Sequence, residues 1–116
     1  MFNKEFIFKL LSWVVKTAVT NLPPDVELLL RRAWEEDNGK EHLEVILENV
    51  ELARREGLPV CQDTGVPVFF VKGPLRLMPD WLYEVLVEVV EGATEEGLLR
   101  PNMVTPLKRT NTGGNV

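Results

Sequence analysis

The 116 residues, 45% of them hydrophobic and 27% charged, suffice for one domain with a modest core, and this composition is not that of a disordered chain. A formal net charge of -5 gives no electrostatic reason to expect nucleic acid or an anionic membrane as partner, so a soluble, cytoplasmic protein is expected. The single cysteine precludes an internal disulfide and fits a reducing compartment, leaving its thiol for packing, redox chemistry or metal.

Taken in chain order, the first segment places Ile7, Leu10, Leu11, Val14 and Ala18 at helical spacing, which predicts a helix over about 3–20. Lys4, Glu5, Lys9 and Lys16 interrupt its apolar run, so neither a membrane span nor a signal peptide is expected from it. Asn21 to Pro24 break the pattern. A second helix is expected over 25–37, with Val26, Leu29, Leu30, Ala33 and Trp34 on one side and Gly39 as the left-handed residue after it. A third, over 40–56, puts Leu43, Ile46, Leu47, Val50 and Ala53 on one face and ends at Gly57. Arg54 and Arg55 in its last turn read as solvated charges at the negative end of the helix dipole.

The pattern changes at Leu58. Residues 66–72, VPVFFVK, are β-branched and aromatic and too short for a helix, so they predict a strand with Pro67 near its start or on an edge. A fourth helix is expected over 80–96, N-capped by Asp80 and ending near Gly97. The remainder, 100–116, has no sustained period and reads as a functional loop or a tail. The expected fold class is therefore α+β, helix-rich with a small sheet. One strand alone leaves both edges unpaired, and the chain reads as an incomplete piece.

The chemistry concentrates at CQDTG, residues 61–65, between a helix and the expected strand. Cys61 as thiolate suits zinc or an iron-sulfur cluster, yet one thiolate cannot hold either; by residue type alone it is a small buried hydrophobe. A Cys-His dyad is disfavoured because the only histidine, His42, lies near the start of the third helix on its solvated side. Asp63 could act as a base, orient one, or cap nearby amides in an Asx turn, and Thr64 has the same alternatives. Gln62 offers both a donor and an acceptor to a carboxylate or hydroxyl ligand. In the tail, Arg100, Lys108 and Arg109 precede Asn111, Thr112, Gly113, Gly114 and Asn115, a set suited to an anion but without a phosphate-loop lysine.

The run ENVELARREGLPVCQDTGVPVFFVKG followed by LRPNMVTPLKRTNTGGNV resembles the N-terminal part of the iron-sulfur dependent class I fumarate hydratases and the alpha subunits of L(+)-tartrate dehydratase. The resemblance implies a hydro-lyase whose [4Fe-4S] cluster is held by three cysteines, Cys61 among them, and acts as a Lewis acid on the departing hydroxyl. It further implies that Gln62 bonds substrate, that Asp63 supports a catalytic histidine later in a full sequence, and that Arg100, or else Arg109, grips a carboxylate. Asn111, Thr112 and Asn115 would shape the pocket wall. The partners implied are the remaining alpha region, a beta subunit or C-terminal domain, a dicarboxylate substrate and further copies in a homo-oligomer. The two other cluster cysteines and a suitably placed histidine are missing from these 116 residues, so the isolated chain is expected to be clusterless and inactive. The competing expectation is a non-enzymatic assembly or interaction domain that keeps the family pattern, motivated by the broad apolar face around Phe6, Phe8 and Trp13.

Overall fold

The computed structural model describes residues 3–36, 41–62 and 66–116. Helix α1 spans Lys4–Thr20, α2 Pro24–Glu36, α3 Glu41–Glu56 and α4 Leu82–Glu95, with a single 3-10 turn at Leu75–Leu77 before α4. The first helix begins where Asn3 accepts the Glu5 amide on Oδ1 at 2.7 Å, the bond that satisfies one of the donors a helix start leaves open. Two glycines end helices by the same device. Gly57 and Gly97 have φ of +67° and +73°, and the next amides, Leu58 and Leu98, donate back to Ala53 and Ala93 at 3.0 and 2.9 Å. This left-handed turn satisfies carbonyls that the last helical turn leaves open.

The chain divides into two compact units, one of residues 1–15 and 62–116 and the other of residues 16–61. The first is organised on α4, whose Val85, Val89, Val90 and Ala93 are buried together with Val15 and Leu98. Burying a valine fully stabilises by roughly 1.5–2 kcal/mol relative to leaving it in water, and Val85 and Val89 are the two largest side chains buried in this way here. In the same unit the Lys4 amine lies 3.2 Å from Glu88 and 3.4 Å from Glu84 on the exposed side, and Glu88 first among these raises its pKa.

The second unit is built on α2 packed against α3. Leu47, Val50 and Ala53 of α3 are buried, whereas α2 buries no residue completely. Polar contacts hold the pair along its edge. Arg54 donates from Nη2 to Glu27 and from Nε to Asn21 Oδ1 at 3.0 Å, while Arg31 reaches Glu27 at 2.7 Å and Glu51 at 2.6 Å. Arg54 is thus a cross-helix clamp rather than a solvated end charge. The guanidinium of Arg54, then that of Arg31, holds the Glu27 carboxyl below its ordinary value. Arg55 stays exposed beside Glu56, and His42 is exposed.

Two expectations are corrected. The α+β class with a small sheet does not hold: the described residues contain no strand, and 66–72 is irregular. The physical reason is that a strand satisfies its backbone only against a neighbouring strand, and 66–72 finds none. The nearest thing to sheet pairing is one antiparallel bridge, Val104 with Asn111. Asp80 does not cap α4 either. The N-cap position falls on Trp81 without a side-chain cap bond, and a turn closes instead through the Leu82 amide to the Pro79 carbonyl at 3.0 Å.

Candidate functional site

Cys61 is the last residue of one unit and Gln62 begins the second segment of the other, so the boundary falls within the CQDTG motif. On the cysteine side, the approach to the thiol is fixed at Val60, whose amide donates to the Val19 carbonyl and whose carbonyl accepts Asn49 Nδ2, both at 2.9 Å. Cys61 itself is exposed and forms no disulfide, which removes the reading of a buried small hydrophobe. Asn49 was not singled out in the sequence. Its signal was its place inside α3, where asparagine is a poor helix former and needs another reason to stay.

On the other side, Gln62 is tied at two points to residues more than thirty positions away. Its Nε2 donates to the Gly97 carbonyl at 3.1 Å, and its own carbonyl accepts Arg100 Nη1 at 3.0 Å. Gln62 and Arg100, both expected at the substrate, are therefore brought together. Arg100 is exposed and no other bond of its guanidinium is formed among the described residues, so the rest of its fork can take a carboxylate. Asp63, Thr64 and Gly65 lie outside the described residues.

The tail is a closed loop. Thr105 and Thr110 pair through backbone and hydroxyls, the latter 2.8 Å apart, and the Met103 amide donates to the Gly114 carbonyl at 3.1 Å. Asn115 is buried and its amide is engaged on both sides: Nδ2 donates to Thr94 Oγ1 at 2.9 Å and to the Arg100 carbonyl at 2.7 Å, and Oδ1 accepts the Asn102 amide at 3.0 Å. Asn111 donates to the Pro101 carbonyl and accepts the Gly113 amide, each at 2.7 Å. The Thr112 hydroxyl donates to the Met103 carbonyl at 3.2 Å. These three side chains brace the loop, and through Asn115 the brace reaches the backbone of Arg100.

Arg109 is placed differently. It sits in the turn of the loop with φ of +52°, a conformation uncommon for a residue with a Cβ, and its amide donates to the Thr105 carbonyl at 2.8 Å. Nothing joins its guanidinium to Gln62 or Arg100 among the described residues. The brace partner Thr94 and the acceptor Gly97 carbonyl are contributors that sequence reading missed. A carbonyl carries no residue-type signal, and Thr94 reads as an ordinary helix position.

An open groove of about 730 Å³ runs along α2 and α3, with Arg31, Trp34, Glu48 and Leu52 in its walls, and none of the expected site residues lines it. Among the described residues no three His, Cys, Asp or Glu side chains gather to hold a metal ion. No described helix is long and apolar enough to cross a membrane.

In the unit that contains Gln62, an exposed arginine fork tied to the Gln62 backbone leaves donors suited to an anionic group. The comparison with known proteins gives the chain a family. Residues 9–116 match the model of fumarate hydratase (Fumerase), so the chain belongs to that family. It is 38% identical over 107 residues to the "Putative L(+)-tartrate dehydratase subunit alpha" of Methanocaldococcus jannaschii, covering 87% of this chain and 38% of that one. The "Putative fumarate hydratase class I" of Geobacillus stearothermophilus is 35% identical over 107 residues, 89% of this chain and 21% of that one. The L(+)-tartrate dehydratase subunit alpha of Escherichia coli K12 is 34% identical over 100 residues, 83% of this chain and 33% of that one. The chain thus spans well under half the length of the relatives it matches.

Proposed function

We propose that this chain is the section of a hydro-lyase alpha subunit that contributes one cluster cysteine and part of the dicarboxylate pocket. The complete cytoplasmic assembly, with the remaining alpha region and a beta subunit or C-terminal domain, adds water reversibly to fumarate to give malate, or removes it from tartrate. The observation that carries the reading is the hydrogen bond from Arg100 to the carbonyl of Gln62, because it unites the CQDTG motif with the tail arginine.

The residues present fit one corner of a [4Fe-4S] cluster and no more. Cys61 is an exposed thiol, the right soft donor, while such clusters take three or four protein ligands and this chain has one cysteine. In the full assembly the cluster would serve as a Lewis acid toward the departing hydroxyl. Within this chain, Arg100 binds and orients a substrate carboxylate through its unspent donors, and Gln62 offers its side-chain oxygen to a substrate hydroxyl, since its Nε2 is held by Gly97. Asn115, Asn111 and Thr112 act by holding the loop that places Arg100. Asp63 supports a histidine supplied by the remaining alpha region, and Arg109 is a secondary carboxylate contact. The isolated chain is inactive and holds no cluster.

The test is co-expression with the remaining alpha region and beta partner, followed by anaerobic cluster assembly. A brown protein that hydrates fumarate or dehydrates tartrate is expected, with Cys61→Ser losing both colour and turnover and Arg100→Lys raising KM by at least about tenfold. Retention of full cluster content and activity by Cys61→Ser would sink the assignment.

A second reading, a non-enzymatic assembly domain that forms homo-oligomers, is favoured by one observation. Leu10 and Trp13 on α1 are 42% and 64% exposed at helical spacing. A monomer by sedimentation, across the concentrations at which the chain is soluble, removes it.

A further inference from the structure

A closed circuit of hydrogen bonds runs through Gln62 and Arg100 and returns to its start at Thr94, in the last turn of α4. From the Thr94 carbonyl it passes to the Gly97 amide at 3.1 Å, and from the Gly97 carbonyl to Gln62 Nε2, also at 3.1 Å. The Gln62 carbonyl takes Arg100 Nη1 at 3.0 Å, the Arg100 carbonyl takes Asn115 Nδ2 at 2.7 Å, and that same nitrogen reaches the Thr94 hydroxyl at 2.9 Å. Thr94, Gly97, Gln62, Arg100 and Asn115 all belong to the unit that contains α4.

The chemistry of each group fixes its direction in the circuit. The Thr94 hydroxyl has one proton, which it donates to the Val90 carbonyl at 2.7 Å, so only its lone pairs remain for Asn115. Threonine within a helix reaches the carbonyl four residues back by its own rotamer preference, and Val90 is buried in the core of the unit. The Arg100 carbonyl can only accept and the Asn102 amide can only donate. Asn115 must therefore turn its nitrogen to the first and its oxygen, at 3.0 Å, to the second. On the other arm, Gly97 at φ of +73° ends the helix in a left-handed turn, and its carbonyl takes Gln62. Gln62 is thus held at its side chain by one arm and at its backbone by the other. Arg100 cannot shift against Gln62 without straining a bond of the circuit.

We propose that Thr94 is a positioning residue: by anchoring both arms it fixes where the Arg100 guanidinium stands relative to Gln62, and so how a substrate carboxylate is held beside the Gln62 amide. The proposal rests on the reading that Arg100 binds such a carboxylate. An exposed arginine fork binds more tightly when its place is set before the ligand arrives, because less freedom is lost on binding.

The first measurement is made by NMR on the 116-residue chain and needs neither cluster nor partner. In the wild type, the Asn115 side-chain amide protons should exchange at least about tenfold more slowly than a free amide. Those of Gln62 should show nuclear Overhauser contacts to Gly97. Free exchange at Asn115 with no Gln62–Gly97 contact overturns the proposal. Thr94→Val keeps the shape and removes the hydroxyl; it should abolish the protection, weaken the Gln62–Gly97 contact and shift the Arg100 guanidinium resonance, whereas Thr94→Ser should resemble wild type. A change at Asn115 alone, with Gln62 and Arg100 undisturbed, overturns the proposal, because Thr94 then braces the loop without positioning the site.

The second measurement uses the co-expressed assembly with fumarate or tartrate, whichever it turns over. Thr94→Val should lower kcat/KM at least about fivefold through KM, with kcat within about twofold and cluster colour retained, and Thr94→Ser should restore it. In an Arg100→Ala background the same substitution should add less than about twofold, since no fork is left to place. An equal loss in both backgrounds overturns the proposal. An assembly without turnover whose chain keeps the circuit defeats only the hydratase reading, and an active one whose KM ignores Thr94 defeats only this proposal.

Discussion

Residues 66–72 and residues 100–116 both lack regular helix and strand, and their backbones meet opposite fates. The tail is rich in asparagine, threonine and glycine, and it closes on itself: Asn111, Thr112 and Asn115 spend their side chains on neighbouring carbonyls and amides. The apolar stretch has no such side chains, finds no backbone partner among the described residues and exposes Phe70 almost completely. Irregular structure is thus two physical conditions. A polar segment can satisfy its backbone locally, whereas a β-branched, aromatic one can do so only against another strand.

The sharpest way to break this contrast is to remove the brace. Asn115→Leu deletes two donors and one acceptor from a buried site and should cost about 2–4 kcal/mol, read as a lower denaturant midpoint at unchanged slope. It should also speed exchange of the Met103 and Thr105 amides, which the loop now holds. An unchanged midpoint would mean that the loop contributes nothing to its unit.

Acid should separate the tail from the α2–α3 pair. Arg54 and Arg31 lower the pKa of Glu27 in the folded chain, so the stability this carboxylate contributes is complete above its ordinary value of 4.5 and is lost as pH falls through the lowered one. The tail's brace uses amides, hydroxyls and backbone, none of which titrates there. On lowering the pH from 6 toward 3, exchange should therefore accelerate in α2 and α3 before it does in residues 100–116. Glu27→Gln should flatten the pH dependence of the helix pair, and equal acceleration in both regions would contradict the placement of that sensitivity.

Gly113→Ala is a smaller perturbation. At φ of +84° an alanine is strained although its added carbon meets no atom within 4 Å, so the cost is conformational and about 1 kcal/mol, measurable from the unfolding midpoint. The smallest effect on stability is expected in the apolar stretch. Phe70→Ser, at a side chain 94% exposed, should change stability by no more than about 0.5 kcal/mol while raising solubility. A loss several times larger would show that Phe70 is packed in solution and that the contrast between the two segments is false.

Much of the helical part was legible in the sequence, for a local reason. The apolar spacing of Leu47, Val50 and Ala53 and of Val85, Val89 and Ala93, with Gly57 and Gly97 beyond the ends, carries information that a helix uses within its own length, because its hydrogen bonds close four residues away. Asp80 shows where this fails: it has the residue type of a cap, yet the turn from Pro79 to Leu82 moves the helix start past it. At the site, the sequence supplied the thiol, the amide and the arginine as types, and the CQDTG and NTG patterns supplied the family.

What the sequence by itself determined is the set of helices, the single thiol and the family to which the chain belongs. The tertiary structure alone decided that Arg100 meets Gln62, that Asn111 and Asn115 turn inward as braces, that Arg54 clamps Glu27, and that 66–72 pairs with no described strand. Each of those outcomes depends on a partner distant in the sequence, or on the lack of one, and residue type states what a group can bond without stating what will be near enough to bond it.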